Sequence, residues 1–229
     1  MLRIAIISDV HANLEALEAV LAEAGTLDLY CLGDLVDYGA NPNEVVSALR
    51  ERGARTIMGN HDYAAVSGDR SQFNPKAAMS SLWTGKQLTA ESTNHLRSLP
   101  LEIRISLDGN RAFFAHGSPD DRLWEYVDPR THSDLFGHYL DRTKSHVIGL
   151  GHTHIPYVWK EKGRIVFNPG SVGQPRDGDW RASFAIMTVN EAELGVEVRR
   201  VEYDVEKAAS KIREAGLPAS HADRLFAGG

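Results

Sequence analysis

Five times within residues 1–154 a short apolar run stops and delivers Asp, Asn or His. Ile4–Ile7 leads into Ser8-Asp9-Val10-His11, Tyr30–Leu32 into Gly33-Asp34-Leu35-Val36-Asp37, and Thr56–Met58 into Gly59-Asn60-His61-Asp62. Ala112–Ala115 then leads into His116-Gly117, and Val147–Leu150 into Gly151-His152-Thr153-His154. Buried strands that end this way restrict the chain to an α/β arrangement, since in open α/β sheets ligands bind just beyond the carboxyl ends of strands. Five such segments pooling their polar ends at one edge make a metal site.

The remaining pattern agrees with alternating strands and helices. Strands are predicted at 2–7, 28–32, 54–58, 111–115, 145–150, 164–167, 183–189 and 195–203. Leu14, Leu17 and Leu21 recur at helical spacing with Val20 and Ala24 beside them, and Asn13 is placed to cap that helix. A second helix follows Asn41-Pro42, with Val45, Val46 and Leu49 as its buried stripe. Residues 63–100 read as a helical insertion, with a loop at Ser67–Arg70 and helices over Pro75–Lys86 and Thr89–Leu99. At under 40 residues it is too short to hold a core of its own, so residues 1–229 are expected to form one domain. The stretch from Asp204 is helical, broken near Gly216-Leu217-Pro218.

Composition narrows the partners. The 25 Lys and Arg against 31 Asp and Glu leave a net charge of −6, the wrong sign for a protein that grips long nucleic acid. No apolar run approaches the roughly 18 residues of a membrane span. The opening Leu2–Ile7 is too short for a signal peptide, and no small-residue cleavage site follows. Cys31 is the single cysteine, which leaves no disulfide framework or zinc–cysteine knuckle. Its apolar setting suits a small buried hydrophobe, and the expected compartment is the cytoplasm.

Taken singly, each polar motif has an ordinary explanation. Asp9-Val10-His11 suits a capping turn, Gly33-Asp34 and Gly59-Asn60 suit plain turns, and a lone His116 suits a hydrogen-bonded core. Taken together, those explanations require independent coincidences, because five of the ten histidines fall in these motifs. Asp, Asn and His without cysteine make an oxygen and nitrogen site, suited to Mn, Fe, Zn, Ni or Co. The donors exceed what one tetrahedral ion needs. Two ions are implied, and a pair about 3.5–4 Å apart is a recurrent device for phosphoryl transfer.

In identity and order the motifs resemble those of the calcineurin-like metallophosphoesterases, and Asn168–Arg176 is similar to a segment of the small bacterial phosphodiesterase-like branch. The resemblance implies an α/β fold, a four-layer α/β/β/α sandwich of two mixed sheets with a dinuclear metal site at one sheet edge. It assigns Asp9, His11 and His154 to a first metal, and Asn60, His116 and His152 to a second, with Asp34 bridging both. His61 takes the place beside the leaving group, and Asp37 that of its orienting carboxylate. In the related protein serine/threonine phosphatases an arginine follows the position of Asp37, where this chain has Tyr38, and a glutamate stands where it has Asp62. Tyr38 and Asp62 therefore turn the expectation from phosphoproteins towards phosphodiesters. Arg176 is a candidate substitute clamp for phosphate, since a guanidinium matches phosphate bidentately.

The resulting expectation is a phosphoesterase loaded with two divalent metal ions, manganese first, with Fe, Zn, Ni, Co or Mg as alternatives. It would hydrolyse phosphodiester bonds of small phosphoester substrates, nucleotide diesters among them, by in-line attack of a metal-bridging hydroxide. The alternatives are a dinucleoside polyphosphate hydrolase, a phosphomonoesterase or protein phosphatase, a nuclease, and a metal-poor interaction scaffold. A scaffold would have lost positions such as His61 or Asn60, and both are present. Within the insertion Tyr63, Phe73 and Trp83 are candidates to stack on a nucleobase, against the alternative of ordinary packing.

Overall fold

The computed structural model describes residues 2–189 and 194–229. The chain runs through β1 (Leu2–Ile7), α1 (Leu14–Ala24), β2 (Asp28–Cys31), α2 (Pro42–Glu51) and β3 (Arg55–Thr56). Three helices follow, α3 (Asn60–Ser67), α4 (Pro75–Gln87) and α5 (Ala90–Ser98). Then come β4 (Glu102–Leu107), β5 (Asn110–Ala115), α6 (Pro129–Thr143), β6 (Val147–Leu150), β7 (Tyr157–Glu161) and β8 (Arg164–Asn168). The antiparallel pair β9 (Ala182–Val189) and β10 (Leu194–Val201) precedes α7 (Val205–Glu214) and α8 (Ala219–Ala227).

Two mixed sheets result, ordered β10-β9-β1-β2-β3 and β4-β5-β6-β8-β7. The inner strands β1 with β2, and β5 with β6 and then β8, run parallel, so their carboxyl ends emerge at the same side. Alternation along each inner strand divides its side chains between two faces. Ile4 and Ile6 meet Phe114 and Phe167 between the sheets, while Ala5 and Ile7 face α1, α2, α7 and α8. On the far side, Phe113 and Ile148 pack under Phe136, Tyr139 and Leu140 of α6. Helix, sheet, sheet and helix are thus four layers in the expected order. Gly149 leaves room for the rings of its two neighbours in the same sheet, because a Cβ there would fall 2.8 Å from the Phe114 ring and 2.9 Å from that of Phe167.

The local expectations hold where a signal was clear. Asn13 accepts from Ala16 N at 3.1 Å and caps α1, and Val45, Val46 and Leu49 are the buried stripe of α2. Asn74 and Thr89 cap α4 and α5. The expected strand 54–58 is cut to two residues because Met58 N turns out of the sheet to the carbonyl of Pro100, at 2.8 Å. Strands β4 and β7 were not expected. Each is the edge of its sheet and half-exposed, so charged residues dilute its pattern. Helix α6 is rich in polar residues, and α3 begins inside what reads as a Gly-Asn turn. Among the described residues no helix is long and apolar enough to cross a membrane.

Phe114 is fully buried between the sheets, its ring 5.5 Å from Tyr30. Phe114→Ala is expected to cost about 3–5 kcal/mol, read as a lowered urea midpoint. A loss below about 1 kcal/mol would show that sheet-to-sheet packing does not rest on this ring.

Candidate functional site

The strand ends turn sharply. Asp9, His11, Ala12, Asp34, Asp37, Tyr38, His152 and His154 all adopt positive φ, between 50° and 71°, and they are eight of the eleven non-glycine residues doing so among the described residues. Each such residue costs about 1–2 kcal/mol, and strain of this kind concentrates where function demands a geometry. Neighbouring backbone holds the turns in place. His11 N and Ala12 N donate to Asp34 O and Leu35 O at 3.0 and 2.8 Å, and Gly173 N donates to Asp9 O at 3.0 Å. Gly59 is required by close approach: a Cβ there would overlap the amide and carboxylate of Asp34.

Asp62 clamps the Gly33–Asp37 turn. Its two oxygens accept from Asp34 N at 2.9 Å, Leu35 N at 2.8 Å, Val36 N at 3.2 Å and Gly59 N at 3.0 Å. The sequence showed Asp62 as the last residue of a polar motif and as a departure from a family pattern, without a structural role. Its partners lie up to 28 residues away, beyond reach of local pattern reading.

The structure brings all seven expected metal-ligating residues together and buries each of them. They fall into two groups whose donor atoms lie within 4.8 Å of one another: Asp9, His11, Asp34 and His154, and then Asp34, His116 and His152. Asn60 joins the second, its Oδ1 3.0 Å from His116 Nε2. Asp34 is common to both. Its Oδ1 accepts from His61 N at 2.9 Å, while Oδ2 stands 3.7 Å from His11 Nε2 and 3.2 Å from His116 Nε2.

The hydrogen bonding leaves these atoms in need of cations. A carbonyl accepts only from an N–H, so each ring nitrogen facing one carries the hydrogen. His11 Nδ1 donates to Val36 O at 3.0 Å and His154 Nδ1 to Gln174 O at 2.6 Å. Their Nε2 lone pairs then face each other across 3.0 Å. In the same way His116 Nδ1 donates to Leu32 O at 2.8 Å and His152 Nε2 to Trp124 O at 3.2 Å. His116 Nε2 and His152 Nδ1 are left converging at 3.2 Å. Asp9 Oδ1 and Asp34 Oδ2 are buried without a hydrogen-bond partner. Acceptors that converge without donors are a poor core and a good cation cage, and nitrogen with carboxylate oxygen suits divalent transition ions.

Charge regulation follows from the same geometry. Burial drives His11 and His154 well below the ordinary imidazole range, and burial with the neighbouring His116 lowers His152 to about 3. Burial also pushes Asp9 up to about 6, with the charge of Asp34 adding to it. His116 goes the other way: burial opposes its charge, but Asp34 and Asp9 raise it to about 9. Without metal, a proton on His116 therefore takes part of a cation's place.

Beside the clusters, His61 Nδ1 lies 2.8 Å from Asp37 Oδ2. Burial lowers the His61 pKa, yet the carboxylates of Asp34 and Asp37 outweigh it and raise the net value. Tyr38 is only 6% exposed, its ring 4.6 Å from those of both His11 and His61. Arg176 approaches from the Gly173–Arg176 loop. Its guanidinium bonds Gln174 Oε1 at 3.3 Å and the Tyr126 hydroxyl, its Nε is buried without a partner, and it forms no ion pair among the described residues. Of the three aromatics expected in the insertion, Phe73 stacks on His61 with centroids 4.4 Å apart, whereas Trp83 packs on the hydrophobic core. Tyr63 is not among the described residues that line the cavity beside His61. Trp124 and Tyr126, which the sequence reading missed, complete the wall. They lie in a loop without periodicity, and the one signal was their place shortly after the His116 strand.

Two packed sheets whose strand ends pool Asp and His in this way define a class of metal-dependent hydrolase. The model for the calcineurin-like phosphoesterase superfamily domain matches residues 2–192, and the chain belongs to that superfamily. A crystal structure of a metallophosphoesterase from Sphaerobacter thermophilus is 40% identical, with all of both chains covered and a TM-score of 0.85. An uncharacterized protein of Methanocaldococcus jannaschii is 41% identical over 98% of each chain. The phosphodiesterase YfcE of Escherichia coli is 28% identical over 78% of this chain and 84% of its own.

Two outcomes follow. Asp62→Ala strips four amides of their acceptor and is expected to cost about 3 kcal/mol or more, with metal uptake lost, as read by urea denaturation and elemental analysis. Wild-type stability in that variant would show that the turn holds itself. Metal binding displaces the His116 proton, so affinity should rise with pH up to about 9. Titration calorimetry in two buffers of different ionisation enthalpy reads the released proton, and equal heats in both would refute its release.

Proposed function

We propose that this chain is a phosphodiesterase that works with two divalent ions, manganese foremost. One observation carries the reading: Asp34 Oδ2, buried and without a partner, stands between two groups of otherwise bare imidazole and carboxylate acceptors. Asp9, His11, Asp34 and His154 would hold one ion, and Asp34, Asn60, His116 and His152 the other. Bound there, the ions supply acidity to water and screen the charge of the phosphate. Residues 1–229 are read as one domain, since α7 and α8 pack on the same core as α1 and α2.

The chain's own residues then divide the work. Asp37 fixes the His61 ring by its Nδ1, which leaves Nε2 to give a proton to the departing oxygen. Arg176, whose Nε is buried without a hydrogen-bond partner, offers its guanidinium to a phosphate oxygen. Tyr38 stands where protein phosphatases of the superfamily place a cation, so less positive charge surrounds the substrate. A monoanionic diester needs less of it than a dianionic monoester. The name of the YfcE relative supports the same choice.

The test is His61→Ala, assayed with manganese against a matched aryl phosphodiester and monoester. Wild type should favour the diester in kcat/KM. The variant should keep both ions by elemental analysis and lose about 10²–10⁴-fold in turnover, less for a good leaving group. Loss of metal in the variant would make His61 a ligand, and a clear monoester preference in wild type would overturn the phosphodiesterase reading.

A further inference from the structure

Two cavities of different character flank the clusters. The one beside His61 is narrow, about 120 Å³, and takes its inner wall from His61 and from Asn60 and His152 of the second cluster. None of Asp9, His11 or His154 reaches it. The other, about 480 Å³, is lined by Thr153, Ile155 and Arg176 together with Asp128, Arg130 and Asp177, Thr153 standing between His152 and His154 in the chain. A phosphorus centre between the two would send one ester arm into each.

The narrow cavity is walled by flat rings. Phe73 lies over His61 at 27° to its plane, Trp124 meets Phe73 edge-on at 5.7 Å, and Tyr126 covers His152 with centroids 3.8 Å apart. Tyr126 is 56% exposed, a large aromatic surface held open to solvent beside the site. Aromatic faces bind bases by stacking, without regard to sequence. The rim adds directional polar groups: Gln72, and Asn74, whose Oδ1 is committed to the amides of Lys76 and Ala77 and whose NH2 remains as a donor. Side-chain amides match the donor and acceptor edges of a nucleobase. Among the described residues no aromatic ring lines the larger cavity, whose wall includes Asp128, Arg130 and Asp177. The two arms of the substrate are therefore not interchangeable.

We propose that the departing arm of the diester is a nucleoside, its base held among Phe73, Trp124 and Tyr126, while the retained arm occupies the larger cavity beside Arg176. The inference rests on the phosphodiesterase reading and on His61 as proton donor. Water's oxygen bonds to phosphorus, the bond from phosphorus to the nucleoside oxygen breaks, and that oxygen leaves with the proton from His61. The products are a free nucleoside and the monoester of the retained arm.

The experiment uses the full chain with manganese and the methyl ester of adenosine 5′-phosphate as substrate. Its two alcohols are of similar acidity, so the choice of leaving group reads orientation in the site. Adenosine and methyl phosphate should exceed methanol and adenosine 5′-phosphate by about tenfold, the scale of one base stacked on an aromatic ring. Trp124→Ala should bring that product ratio towards one, and Trp124→Phe should restore it. Predominant adenosine 5′-phosphate from wild type, or a ratio unmoved in Trp124→Ala, overturns the inference. Bis(4-nitrophenyl) phosphate separates the two levels: if it is cleaved while the partition is wrong, only the orientation falls, and if no diester is cleaved, both readings fall.

Discussion

Lone pairs that face one another without a proton between them set the terms for this molecule. His11 and His154 spend their ring hydrogens on backbone carbonyls and turn bare nitrogens to each other at 3.0 Å. Asp9 and Asp34 each have one oxygen bonded to a backbone amide and one left bare. A hydrophobic core could not carry this cost unrelieved, since buried polar atoms without partners are expensive. Only positive charge relieves it, whether as the proton on His116 or as a metal ion.

Holding such atoms together against their mutual repulsion takes a rigid frame. The left-handed turns at Asp9, His11, Asp34, His152 and His154 aim the side chains inward. Asp62 and the amides that it accepts keep one of those turns closed, and Gly59 gives Asp34 the room it occupies. Strain in the backbone is thus met by packing around it, which holds the donor atoms in their places.

The candidate site was legible in the sequence because chemistry and punctuation coincided: Asp9, Asp34, Asn60, His116 and His152 sit where apolar runs end, and His11 and His154 follow two residues after Asp9 and His152. The inner strands were legible for the same reason, being short, apolar and buried. What escaped lacked either signal. Strands β4 and β7 are half-exposed edges, and α6 packs only one face on its sheet. Trp124 and Tyr126 gain their role from the fold, which lays the loop after His116 over His152 and Phe73. Asp62 reads as one more acid in a motif until the partner turn, 28 residues away, is folded against it.

Among the described residues the two sheets of the sandwich share no strand. Asp9, His11, Asp34 and Asn60 follow strands of one sheet, whereas His116, His152 and His154 follow strands of the other. A cation held in either cluster would draw donors from both, and so would rivet together two halves that also meet through apolar packing, loops and hydrogen bonds such as that of His116 Nδ1 to Leu32 O. The ion's hold on the native state is then shared by the whole molecule, and its free energy of binding adds to that of folding. Metal supply would then bear on the mechanical coherence of the sandwich as well as on its chemistry.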